Sequence, residues 1–182
     1  MQTELMVAGF GGQGALFTGQ LLAYASMDEG LQVTWIPSYG PEMRGGTANC
    51  TVIVSNEDIG APIVGKLRAG IALNRPSMDK LEPMIKPGGY LVVNASMVDR
   101  AAVRTDINVV SIPATEIAES LGDRRLTNMV LLGGLLGNVP VVTLEAIGRA
   151  LKAHTAERNQ KLVPANMEAM NRGATYVVEP VK

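Results

Sequence analysis

The string Gly9-Phe10-Gly11-Gly12-Gln13-Gly14 offers the first chemistry in this chain. Gly9, Gly11 and Gly14 carry the G-x-G-x-x-G spacing directly after an apolar run, where a strand turns into a helix. With no side chains in the way, main-chain N–H groups and a helix N-terminus can approach an anion there, the dipole alone contributing ~0.3–2 kcal/mol. Gly9, Gly11, Gly12, Gln13 and Gly14 are therefore candidate ligand-binding residues, Gln13 placing a polar amide at the mouth of the turn. The same glycines would equally serve a ligand-free turn that lets helix and strand pack closely. A second string, Tyr39-Gly40-Pro41-Glu42-Met43-Arg44-Gly45-Gly46, spends a proline and several glycines on display geometry. Its Arg44 suits bidentate contact with a phosphate or a partner carboxylate, and Glu42 can pair with it across the loop. Tyr39, Glu42 and Arg44 complete the candidate set.

Other chemistries are excluded or disfavoured by what is missing. A dinucleotide enzyme needs a carboxylate at the end of the second strand to hold the ribose hydroxyls. That strand ends Ile36-Pro37-Ser38-Tyr39, and Asp28 and Glu29 come too early, so NAD is disfavoured and NADP survives only through Arg44. One cysteine and one histidine in 182 residues allow no intrachain disulfide, no Cys₄ iron–sulfur site and no two-histidine zinc site. Cys50 lies in an apolar strand with no base nearby and reads as a small buried hydrophobe. His154 reads as a surface residue at a helix end. No residue is assigned as catalytic or as a metal ligand. A net charge of −1 with no basic cluster argues against nucleic acid, and Asp123-Arg124-Arg125 reads as a solvated loop. Glu4 without a basic start speaks against a signal peptide, and Met129–Leu136 is far short of the ~20 residues a membrane span needs. A cytoplasmic protein is expected.

The elements that must position these residues follow from periodicity. Residues 5–8 predict a buried strand, and a helix runs from about Gly12 to Glu29 with Leu16, Gly19/Gln20, Ala23 and Met27 inward, stopped by Gly30. Val33–Ile36 closes a β-α-β unit. Thr47–Ser55 is a strand too close to the second one for a parallel crossover, so the pair is antiparallel. Further strands are expected at 70–73, 90–93 and 109–112. Helices are expected at 76–85 and 114–121, with Lys86–Gly89 turning the first of them into its strand. Residues 128–138 are apolar all round with Gly133, Gly134 and Gly137 inside, which places that helix in the core or at a subunit contact. Thr143 caps an amphipathic helix, Pro164 opens the last one, and Gly173 stops it. The fold class is α/β: a single three-layer, Rossmann-like domain over 1–182, its sheet mostly parallel with an antiparallel insertion.

Together the strings resemble the gamma subunit of 2-oxoacid:ferredoxin oxidoreductases, the pyruvate/ketoisovalerate oxidoreductase gamma family. The likeness runs through Gly9–Gly14, Ser38–Gly46, Thr47–Ser55, Ala72–Ser77, Lys86–Asn94 and Asn128–Gly133, and is strongest before residue 95. It implies a complex that decarboxylates a 2-oxoacid, passes the acyl group to coenzyme A and reduces ferredoxin. It also implies that thiamine diphosphate, Mg and iron–sulfur clusters sit on the alpha, beta and delta-type subunits. Coenzyme A would lie at the subunit interface, and the isolated chain would be inactive and a possible homodimer. Met43–Cys50 resembles the 2-oxoglutarate and branched-chain types more than the pyruvate type, so 2-oxoglutarate is the expected substrate. Two alternatives remain open: a ligand-free assembly module, and an NADP-binding oxidoreductase.

Overall fold

A computed structural model describes residues 2–40 and 46–180. Six strands form one sheet: β1 (Gln2–Phe10), β2 (Gln32–Tyr39), β3 (Thr47–Ser55), β4 (Leu67–Ala72), β5 (Ile85–Asn94) and β6 (Asn108–Ile112), in the order β2-β3-β1-β4-β5-β6. The pairs β1–β4, β4–β5 and β5–β6 are parallel, whereas β3 is antiparallel to both of its neighbours. The reversal follows from chain length, because the link from Tyr39 to Thr47 is too short for the crossover of a dozen or more residues that parallel strands require. β2 therefore runs in the direction of β1, as a β-α-β unit demands, with β3 inserted between them.

Six helices cover this sheet unequally: α1 (Ala15–Asp28), α2 (Arg75–Leu81), α3 (Ala114–Ser120), α4 (Thr127–Asn138), α5 (Leu144–His154) and α6 (Val163–Ala174). Side chains alternate along the strands. Leu5, Val7, Cys50, Val52, Ile71, Val92 and Val110 face one way, into a core shared with α1, α3, α4, α5 and α6. Met6, Ala8, Leu91 and Val93 face the other way, where they meet Met78 and Leu81 of α2. The three-layer α/β architecture holds, with a thick layer on one face and a single short helix on the other.

Several local expectations are corrected. α1 begins at Ala15, because Gly12 and Gly14 take positive φ of 95° and 82° and belong to the turn. Its buried residues are Ala15, Thr18, Gly19, Leu21, Leu22, Ala23, Ala25 and Ser26, so Gly19 and Ala23 are inward as expected, whereas Met27 is exposed. Gly19 is inward because a Cβ there would strike the Cys50 sulfur. Lys86–Gly89 is a bulge within β5 instead of a turn before it: the register with β4 shifts there, and Gly88 has φ 71°. Gly173 does not stop α6, which continues to Ala174. It is a glycine because a Cβ would strike the Val130 carbonyl of α4, as one at Gly133 would strike the Met170 carbonyl of α6. α4 is buried from Asn128 to Leu136, and its glycines let two backbones touch.

The segment between β5 and β6 is fastened by one buried carboxylate. Glu82 accepts from Arg100 Nη1 at 2.8 Å and from the Val103 and Arg104 N–H groups, while Arg104 donates to the carbonyls of Glu82 and Ile85. Burial works to raise its pKa, but these donors win and hold the carboxyl below its ordinary 4.5. The bonds are therefore fully present above pH 4.5 and are lost as pH falls through the lower folded value.

Two outcomes follow for stability. Gly133→Ala gains ~1 kcal/mol in helix propensity but costs more by overpacking, for a net loss of ~1–3 kcal/mol in chemical denaturation. Gly60→Ala, with open space around it, is near neutral. Glu82→Gln loses ~1–3 kcal/mol at pH 7, and its deficit against wild type shrinks in urea melts as the buffer is taken below pH 4.5.

Candidate functional site: the crevice at the strand ends

Parallel strands end together, so β1, β4, β5 and β6 deliver their C-terminal residues to one edge of the sheet, the usual ligand edge of open α/β folds. β3 enters the sheet at this same edge, with Thr47 opposite Phe10. The two strings are consequently neighbours: Gly11 N–H donates to the Gly46 carbonyl at 2.9 Å, and Gly40 N–H to the Thr47 carbonyl at 3.2 Å. Tyr39 stands beside the turn and is 58% exposed. Glu42 and Arg44 lie outside the described residues.

The glycine turn is held from within. Gln13 folds back, and its Oε1 accepts from the Phe10 N–H and from Asn74 Nδ2, both at 2.7 Å. Asn74 in turn caps α2, its Oδ1 accepting from Ser77 N–H at 3.0 Å. Gln13 thus fastens the turn after β1 to the turn after β4. Gly9 sits close to Leu73 and Gln13, so a larger residue there would displace both. Gly14 presents its carbonyl to Thr18 Oγ1 at 2.9 Å and to Asn128 Nδ2 at 3.4 Å, and Asn128 would meet a Cβ at that position. Of Gly9, Gly12 and Gly14, it is Gly12 that has nothing within 4 Å of where a Cβ would stand. Phe10, Gly11 and Gln13 already commit their N–H groups to protein acceptors, so the turn offers an anion fewer donors than its sequence suggests.

Two hollows flank Gly12. One, about 480 Å³, is apolar and lined by Phe10, Leu16, Phe17 and Tyr39. The other, about 220 Å³, carries the polar side chains of Gln13, Asn94, Thr115, Arg124, Arg125 and Thr127 beside Gly12, with Leu73 and Met97 completing its lining. Asn94 ends β5 and is 1% exposed; its Nδ2 donates to Thr115 Oγ1 at 3.0 Å and to the Leu73 carbonyl at 3.3 Å. Arg124 and Arg125 form a short 3₁₀ turn (Arg124–Leu126) before α4; both side chains are solvated, as expected, at 65% and 81% exposure, and both also border this hollow. Arg125 is paired with Asp123 at 2.8 Å, while Arg124 reaches Glu119 only at 3.7 Å. Asn94, Thr115 and Arg124 were missed from sequence. A polar residue closing the buried apolar run Tyr90–Val93 was the available signal.

Cys50 is fully buried, and burial pushes its thiol up to about 11, which removes it from thiolate or metal chemistry. No group of three or more His, Cys, Asp or Glu among the described residues could hold a metal ion. His154 ends α5 at the surface, stacked on Tyr24 and 3.0 Å from Asp28. Among the described residues, no helix is long and apolar enough to cross a membrane.

This arrangement has counterparts. Residues 4–176 match the model of the family described as pyruvate ferredoxin/flavodoxin oxidoreductase. The chain belongs to that family. The ketoisovalerate oxidoreductase subunit VorA of Methanothermobacter thermautotrophicus is 32% identical over the whole chain, which spans 38% of that relative's length. The 2-oxoglutarate synthase subunit KorC of Methanothermobacter marburgensis is 33% identical over 95% of the chain and 99% of its own. The keto/oxoacid ferredoxin oxidoreductase gamma subunit of Geobacter sulfurreducens superposes with TM-score 0.79 at 28% identity, covering 96% of this chain and 97% of that one. The 2-oxoglutarate:ferredoxin oxidoreductase of Magnetococcus marinus, solved with 2-oxoglutarate, coenzyme A and succinyl-CoA bound, shares the fold with TM-score 0.85 at 23% identity. The match covers 99% of this chain and 33% of that chain.

The turn's internal fastening makes a prediction. Gln13→Ala leaves the Phe10 N–H and Asn74 Nδ2 without their acceptor, costs ~1–3 kcal/mol, and accelerates hydrogen exchange at the Phe10 amide. Unchanged exchange at Phe10 would remove Gln13 from this role.

Proposed function

We propose that this chain is the gamma, non-thiamine part of a 2-oxoacid:ferredoxin oxidoreductase. In the whole complex a 2-oxoacid loses CO₂, its acyl group passes to coenzyme A, and the two electrons released reduce ferredoxin. The observation that carries this reading is the family match over residues 4–176, joined to a polar hollow and an apolar hollow side by side at the ligand edge of the sheet. The single thiol is buried, and among the described residues no group of three or more His, Cys, Asp or Glu could hold a metal ion, which supports placing thiamine diphosphate, Mg and iron–sulfur clusters elsewhere in the complex. These groups belong to the partner subunits. Coenzyme A does fit: Arg124, Gly12 and Thr115 suit its anionic end, and the turn Gly9–Gly14 with Tyr39 forms the face turned to the partners; Glu42 and Arg44 are assigned to the same site on their place in the sequence alone. That the chain is a single domain over 1–182, and is inactive alone in the cytoplasm, belongs to the same proposal.

Two features support partner contact at this face. Phe17 and Tyr39 expose aromatic surface beside the turn, 46% and 58% accessible. A relative of more than twice the length carries the same domain joined to a larger body. These features also suit a ligand-free assembly module, which is the second reading. For the substrate we favour 2-oxoglutarate, on the Met43–Cys50 sequence and the likeness to KorC; the likeness to VorA makes ketoisovalerate its competitor.

Purification of the native complex followed by oxoacid-dependent, coenzyme A-dependent dye reduction tests the proposal. The expected outcome is turnover with 2-oxoglutarate above ketoisovalerate and pyruvate, and no turnover by the isolated chain. A metal-free isolated chain that oxidises an oxoacid would overturn it.

A further inference from the structure

The polar hollow contains an unmet hydrogen-bond acceptor. Asn94 is 1% exposed, and its amide orientation is set by its neighbours: the Leu73 carbonyl can only accept, so Nδ2 must face it. With Nδ2 committed there and to Thr115 Oγ1, Oδ1 is left buried without a donor. Ser96 Oγ, two residues further on, is likewise buried and unpartnered. Buried polar atoms are paired in the great majority of cases, and of the unmet atoms it is Asn94 Oδ1 whose residue lines this hollow, where a donor from outside can be received. The carbonyl and hydroxyl partners of Asn94 hold the amide rigidly, which pre-orients Oδ1.

We propose that Asn94 reads the ligand of this hollow: its Oδ1 accepts from a hydroxyl or amino group carried beside the anionic group that Arg124 attracts. This rests on the crevice being the coenzyme A site proposed above and adds the residue that reads the ligand's nucleotide end. About 220 Å³ is below the ~300–1,000 Å³ of a site that encloses a whole small molecule, so one end of a longer ligand enters. A neutral carboxamide suits the task, because a carboxylate at this position would repel the phosphate. The adenosine 3′,5′-bisphosphate end of coenzyme A has this chemistry, offering a ribose 2′-hydroxyl and a purine amino group next to its phosphates. Gly12, open on both sides, lets the remainder of such a ligand pass the turn toward the apolar hollow.

The test titrates the full-length ¹⁵N-labelled chain with adenosine 3′,5′-bisphosphate, its 2′-deoxy counterpart and its inosine counterpart, following Gly12, Arg124 and the Asn94 side-chain amide by NMR. Wild type should bind the parent compound with shifts at all three positions and should lose roughly 3- to 10-fold in affinity for one of the two analogues. The analogue that loses identifies the donor as hydroxyl or amino. Asn94→Ala, if folded by its amide spectrum, should bind parent and analogue alike. The comparison among ligands on the wild-type chain needs no variant. Equal wild-type affinity for all three compounds, with shifts at Gly12 and Arg124, overturns the role of Asn94 and leaves the crevice a ligand site. Absence of shifts with any of them overturns both.

Discussion

The Gln13 side chain is the constraint on which the ligand edge depends. Its single oxygen is shared between the Phe10 N–H and Asn74 Nδ2, and so joins the turn after β1 to the turn after β4. Without it the first half of the turn would lean on the Gln13 N–H to Phe10 carbonyl bond and the bond from Gly11 to Gly46, while Gly14 keeps its own bonds to Thr18 and Asn128. Asn74 meanwhile spends its oxygen on the start of α2. One relay of amides therefore positions a glycine turn, a helix N-terminus and the floor of the crevice, which converts a flexible glycine string into a rigid surface. The same relay explains why the turn is a modest anion cradle: its own donors are used to hold it.

The reversed strand β3 is the second decisive feature. A parallel strand at that position would enter the sheet at the opposite edge and carry the Tyr39–Gly46 string away from the glycine turn. Reversal puts Thr47 opposite Phe10 and lets Gly46 bind Gly11. The link was short enough to forbid anything else, so this part of the topology was legible from spacing alone. So was the core placement of α4, because a helix that is apolar all round and rich in glycine has no solvent face to offer.

What was not legible has a common physical cause. The role of a glycine depends on what lies opposite it: Gly173 reads locally as a helix stop, yet it exists to admit the Val130 carbonyl. A side-chain amide likewise declares no direction. Gln13 at the mouth of a turn reads as a ligand contact, and it folds inward because two buried donors otherwise go unmet. Arg124 reads as solvated by its charge, and it is, but its place at the border of the hollow beside Gly12 depends on the 3₁₀ turn before α4. Periodicity reports burial, and these residues are distinguished by partners distant in sequence.

Three buried asparagines show how the edge separates structure from recognition. Asn74 and Asn128 spend their amides on protein: Asn74 on Gln13 and the start of α2, Asn128 on the Gly14 carbonyl and Thr18. Asn94, on the adjacent parallel strand, uses its donor side in the same manner and leaves its acceptor unmet. If the edge served only to close the fold, an apolar residue in place of Asn94 would avoid the cost of burying an unpaired carbonyl oxygen, roughly 1–3 kcal/mol. Met97 and Arg124 border the same hollow, 3.9 Å from sulfur to guanidinium. On the proposal made above, that cost is offset when a ligand in the hollow supplies the missing donor.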